Sequence, residues 1–146
     1  MRPVISSFVL SSLCSIILSG CSFQTYRPDE LGDSGAEIAS CAITKLGGVI
    51  TRDGIILFEP SGMRSYLSKV TEYGLPAPRM LPRGSKVHLV SLSSGWDSGV
   101  GSYIKAKASI DGIGDTYFVM DEAINHPLNR KDFTKFINDG FTPCRK

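Results

Sequence analysis

Histidine is scarce in this chain, with two residues in 146, and tryptophan is scarcer, with one. Neither His88 nor His126 belongs to an H-E-x-x-H zinc helix, and 38 positions separate them. There is no C-x-x-C pair, no G-x-S-x-G elbow and no G-K-[ST] phosphate loop. An excess of one charge is also missing: 16 Lys and Arg stand against 14 Asp and Glu, a net of +2. Phosphate backbones are bound by clustered cations, so nucleic acid is not expected as a partner. No apolar run is long enough for a multi-pass membrane protein, and 42% hydrophobic residues with 21% charged exclude a disordered chain. What remains is one domain's length of ordinary globular sequence.

The first segment stands apart. Residues 1–21 read MRPVISSFVLSSLCSIILSGC, with Arg2 beside the start and an apolar stretch from Val4 to Leu18. At helical rise that stretch spans roughly 22 Å, short of a hydrocarbon core of about 30 Å, so it reads as a secretory signal rather than a spanning anchor. Its last four residues, Leu18-Ser19-Gly20-Cys21, resemble the lipobox of bacterial lipoprotein precursors. The small Ser19 and Gly20 admit a peptidase to the bond before Cys21, whose thiol carries a thioether-linked diacylglycerol. The resemblance implies removal of residues 1–20 and attachment to the lipid bilayer through acylated Cys21. It also implies sorting to the outer membrane, because Ser22 stands where a retained protein often has Asp.

Two of the four cysteines then remain, Cys14 leaving with the signal. Cys41 and Cys144 lie near the two ends of an exported domain and are expected to form a disulfide in an oxidising compartment. A closed loop of about 100 residues is worth about 4.7 kcal/mol in the chain-entropy account. A metal site or a thiol nucleophile is the alternative; the first wants closer ligand spacing, the second a neighbouring histidine.

Residues 21–36 carry Pro28, Gly32 and Gly35 without an apolar period and are expected as a lipidated N-terminus and flexible tether. Residues 37–146 are expected as one compact domain. Within it, residues 37–46 have weak helical spacing. Val49–Thr51 and Ile55–Phe58 flank Asp53-Gly54, the signature of a hairpin with a type I′ turn. Met63, Tyr66, Leu67, Val70 and Tyr73 follow a helical period that ends at Gly74. Pro76, Pro78 and Pro82 make 75–84 an extended loop. Strands are expected over 86–92, 103–110 and 116–120, with a Gly/Ser loop at 93–102. Phe133, Phe136 and Ile137 mark a helix between Asn129 and Asn138, with Gly140 as its stop. The expected fold is mainly β: a small antiparallel barrel with one or two short helices. The stretch LPRGSKVHLVSL, the lysine-bearing strand and TYFVM together resemble bacterial SH3-like domains over residues 46–122.

Candidate chemistry is sparse. Asp111, Asp115, Asp121 and Glu122 offer carboxylates of the kind calcium takes, yet the EF-hand spacing is absent and Asp-Gly steps serve tight turns anyway. No motif calls for a metal or a cofactor, and the chain is not expected to be an enzyme; the rival is a small hydrolase using His88 with Asp97 or Asp111. The loop around Trp96 is the leading candidate surface, with Asp97, Tyr103, Lys105 and Lys107 beside it. Trp96 has two placements open to it: exposed as an anchor for a partner, or folded over one end of the barrel. The reading that follows is a lipid-anchored envelope protein whose small domain binds a protein partner or peptidoglycan. An inhibitor of an envelope-acting enzyme is the second reading in the same class.

Overall fold

The computed structural model describes residues 23–122 and 124–144; the signal segment and Cys21 lie outside them. Strand outweighs helix, 42% to 29%, so the mainly-β class stands, with three helices. In chain order the elements are β1 (Thr25–Tyr26), a 3-10 turn (Pro28–Glu30), α1 (Asp33–Ser40), β2 (Ala42–Thr44), β3 (Gly47–Thr51), β4 (Gly54–Phe58), α2 (Pro60–Glu72), β5 (Arg79–Leu81), β6 (Lys86–Asp97), β7 (Gly101–Ile110), β8 (Gly114–Met120), α3 (Arg130–Gly140) and β9 (Phe141–Pro143).

One sheet runs β5-β3-β4-β8-β7-β6-β2-β9, and β1 pairs with the second half of β6. It is curled into a half-barrel rather than closed. Nor is it purely antiparallel: β4 and β8 run parallel, with Ile55 opposite Phe118 and Leu57 opposite Met120. A long crossover through α2, β5, β6 and β7 makes that pairing, which local hairpin signals do not encode. β6 bulges between Leu89 and Ser91. The bulge turns the strand so that its first half takes β2 and its second half takes β1 on the same edge.

The inner face carries the core. Ile55, Leu57, Leu89, Leu92, Ile104, Ala106, Ala108 and Phe118 meet Ile38 of α1 and Phe133, Phe136 and Ile137 of α3. Phe141 stands edge-on to Phe118, with ring centroids 5.4 Å apart. On the outer face α2 packs against β4, where Val49, Phe58 and Val70 are buried and Phe58 packs against Tyr66 at 5.2 Å.

Several local expectations change. The segment 25–36, expected as part of a flexible tether, is built into the fold, with Leu31 in the core and the Tyr26 ring edge-on to Phe133 at 4.8 Å. Its polar, Gly- and Pro-rich composition hides this, since burial there depends on two or three side chains. Helix α1 starts earlier than the 37–46 spacing suggested and stops at Ser40, after which β2 pairs with β6 and β9. The β3–β4 turn is Arg52-Asp53, with Thr51 opposite Gly54. No non-glycine residue has positive φ among those described, so a type I′ turn is excluded and Gly54 supplies the unusual geometry at φ 147°. The proline-bounded stretch 75–84 holds a three-residue edge strand, β5, where prolines are tolerated.

Other expectations hold. Helix α2 ends with Gly74 at φ 62° and the Leu75 N–H bonded to the Val70 carbonyl. Helix α3 starts at its Asn129 cap. Gly140, however, is no left-handed stop: it lies in the last turn of α3, where a Cβ would meet Met120 Cε at 2.6 Å. The Cys41–Cys144 disulfide is formed, with Cα atoms 5.4 Å apart. The β2–β9 ladder places these residues, since Ala42 stands opposite Pro143 and the Cys144 N–H bonds the Cys41 carbonyl at 3.1 Å.

Candidate interaction surface

The β6–β7 hairpin is longer than the sequence suggested. Ser93–Gly95 are poor strand formers, yet they pair with β7 and, at Ser93, with β1, so the strand continues to Asp97. The turn is only Ser98–Val100. Asp97 Oδ1 accepts the Gly99 N–H at 2.8 Å, and Gly101 takes φ 89°. The Asp97 carboxylate is thus engaged in shaping the turn.

Pairing register divides the candidate residues between two faces. Trp96 stands opposite Ser102, in line with Ser94 and Leu92 on the core side of the hairpin. It lies one pair from the end of the β6–β7 ladder, and 71% of its surface is exposed. It does not fold over a barrel end. Gly95 stands opposite Tyr103 on the other face, and a Cβ at Gly95 would run into the Tyr103 ring. Glycine there lets the ring lie flat across the strand. Lys105 and Lys107 continue that outer face, and Tyr117 is opposite Lys107. The Lys105 ammonium sits 5.0 Å from the Tyr117 ring centroid, a cation–π distance. The five residues expected as one surface therefore divide: Tyr103, Lys105 and Lys107, joined by Tyr117, form an aromatic, lysine-bearing face, Asp97 shapes the turn, and Trp96 is a separate apolar tip.

The pairs expected for a hydrolase fare differently. His88 is exposed near the start of β6, while Asp97 is nine residues along the same strand, roughly 30 Å away at strand rise; Asp111 is nearer, two residues past Ser109, which stands opposite His88. Asp115 and Asp121 are six residues apart on and just after β8, about 20 Å, so the four carboxylates do not meet.

A cleft of about 300 Å³ went unnoticed in the sequence. Its apolar wall is Ile104, Met120, Ile124 and Phe136; its polar rim is Glu122, His126, Asp132 and Lys135. His126 Nε2 lies 2.9 Å from Asp132 Oδ1, while Asp132 Oδ2 accepts the Asn129 N–H at 2.8 Å. Burial works against the Asp132 carboxylate, but the Asn129 N–H, the His126 ring and the Lys135 ammonium outweigh it and hold its pKa below the usual value. The Lys135 ammonium is bonded to Asp139 at 2.6 Å and reaches Glu122 at 3.4 Å. The Asp139 bond leads, against the cost of burial, in raising its pKa. These charges are mutually satisfied, and the Asn129/Asp132 box marks the start of α3. The only sequence signal was Asn129-x-x-Asp132 itself.

Compared with protein-family models, with curated proteins and with solved structures, the chain finds no match.

Proposed function

We propose that the protein is a lipid-anchored component of the bacterial cell envelope, held by acylated Cys21, whose disulfide-closed domain binds a partner, a protein or peptidoglycan. The lipobox Leu18-Ser19-Gly20-Cys21 carries the reading. The Cys41–Cys144 bond supports it, because such bonds persist in oxidising compartments.

The outer face of β7 and β8 is the surface we assign to that partner. Tyr103, Lys105, Lys107 and Tyr117 share that face, with Lys107 and Tyr117 exposed and Tyr103 and Lys105 half-buried, and two lysines with two tyrosines suit an anionic partner: an acidic protein face or the carboxylates of peptidoglycan stems. Anchoring keeps the domain near its partner and raises effective concentration, so a weak contact is sufficient.

Metabolic labelling with a palmitate analogue should tag the wild type and not Cys21→Ala; equal labelling of both overturns the anchor. Envelope crosslinking should recover the partner with wild type and lose it with Lys105→Glu/Lys107→Glu at an unchanged melting temperature. Recovery that is indifferent to both charges overturns the assigned face, and recovery of one soluble enzyme points instead to an inhibitor.

A further inference from the structure

The tip of the β6–β7 hairpin lies at the same end of the domain as the route to Cys21. β1 is antiparallel to β6, with Thr25 opposite Ser93, so the chain runs towards the hairpin tip as it is followed back from Thr25. The Ser94 N–H bonds the Gln24 carbonyl at 3.0 Å, which holds the backbone in that direction. Phe23 is next, 83% exposed. It is two positions from Cys21, with Ser22 between, a reach of at most about 7 Å. Trp96 is three residues beyond Ser93 along β6, about 10 Å, and Val100 sits in the turn, 56% exposed.

We infer that Phe23, Trp96 and Val100 form a bilayer contact that seats the domain directly on the lipid surface. The inference rests on the lipid anchor proposed above and adds the orientation of the domain. A lipidated Cys21 has no long leash, because the segment that would have supplied one is built into the fold. The headgroup zone is about 5–8 Å deep per leaflet, similar to the reach from Phe23 to Cys21. The hairpin tip beside the anchor therefore meets that zone. Its composition suits it. Trp and Phe favour the interface, and from Ser93 to Ile104 Asp97 is the only charged side chain, with its carboxylate turned onto the Gly99 N–H. The lysines lie on the other face, free for a partner.

Trp96 is the protein's only tryptophan and reports its own surroundings. The full chain, purified from membranes with its acyl label verified, is reconstituted into phosphatidylethanolamine/phosphatidylglycerol vesicles with or without brominated acyl chains. The expected result is blue-shifted Trp96 emission that is quenched by the brominated lipid. The Trp96→Phe/Tyr117→Trp variant moves the reporter to the lysine face, where emission should stay water-like and unquenched. An acylated chain whose Trp96 emission stays water-like overturns the contact while leaving the anchor intact. Quenching at both positions also overturns it, since the domain then adsorbs without orientation. A wild-type chain without acyl label overturns the anchor and this contact with it.

Discussion

Replacing Cys41 and Cys144 together by alanine removes one covalent link and little packing, so its effect isolates loop closure. The bond joins residues 103 positions apart. In the chain-entropy account a loop of that size restrains the unfolded chain by about 4.7 kcal/mol. The folded state loses little, because β2 and β9 remain paired at Ala42, Ile43 and Thr44 and Phe141 stays buried. The expected loss is thus about 3–5 kcal/mol, a drop of roughly 10–25 °C in melting temperature for a domain of this size. The route of the loss matters as much as its size. If it acts through the unfolded chain, that chain expands without the link and exposes more surface, so the urea m-value should rise. Urea titrations of wild type, wild type under reductant and the double alanine variant read both quantities. A loss below about 1 kcal/mol with an unchanged m-value would refute the loop-closure argument.

Three further outcomes follow from the α3 side of the core. Phe133 is fully buried against Tyr26, so Phe133→Ala should cost about 3–5 kcal/mol in denaturant titration and release the β1 segment to proteolysis. Asn129→Ala removes the side-chain acceptor for the Lys131 N–H at 2.9 Å and should cost about 1 kcal/mol, read the same way. Asp132 is held below its ordinary pKa in the fold, so its contribution is present above about pH 4 and is lost as the pH falls through the lowered folded value. Acid titration followed by circular dichroism should show that loss in wild type, with a shallower dependence in Asp132→Asn.

Much of the fold could be read from side-chain period. Phe133, Phe136 and Ile137 with the Asn129 cap fixed α3, and alternation through Ile104, Ala106, Ala108 and Ile110 fixed β7, because each face is single-sided. Other features resisted. The β4–β8 pairing joins residues some sixty positions apart, and period says which face is buried without saying which strand is the neighbour. Leu31 is an isolated apolar residue in a polar stretch, so period gives no sign that it joins the core. The candidate surface was half legible. Lys105, Lys107 and Tyr103 were placed on one face by alternation. The assignment of 93–102 to a loop concealed that Trp96 falls on the opposite one. The cleft joins residues after β8 to the far side of α3, a juxtaposition only the finished core creates.

The Cys41–Cys144 clasp encloses β2 to β9 but leaves β1 and α1 outside it. A force pulling the chain's two ends apart bypasses everything between the sulfurs and loads residues 23–40 alone. The mechanical weak point is the two-residue β1 pairing, and behind it some eighteen residues can pay out to about 60 Å. Under strain the protein would lengthen like a safety line while its stapled body kept its shape.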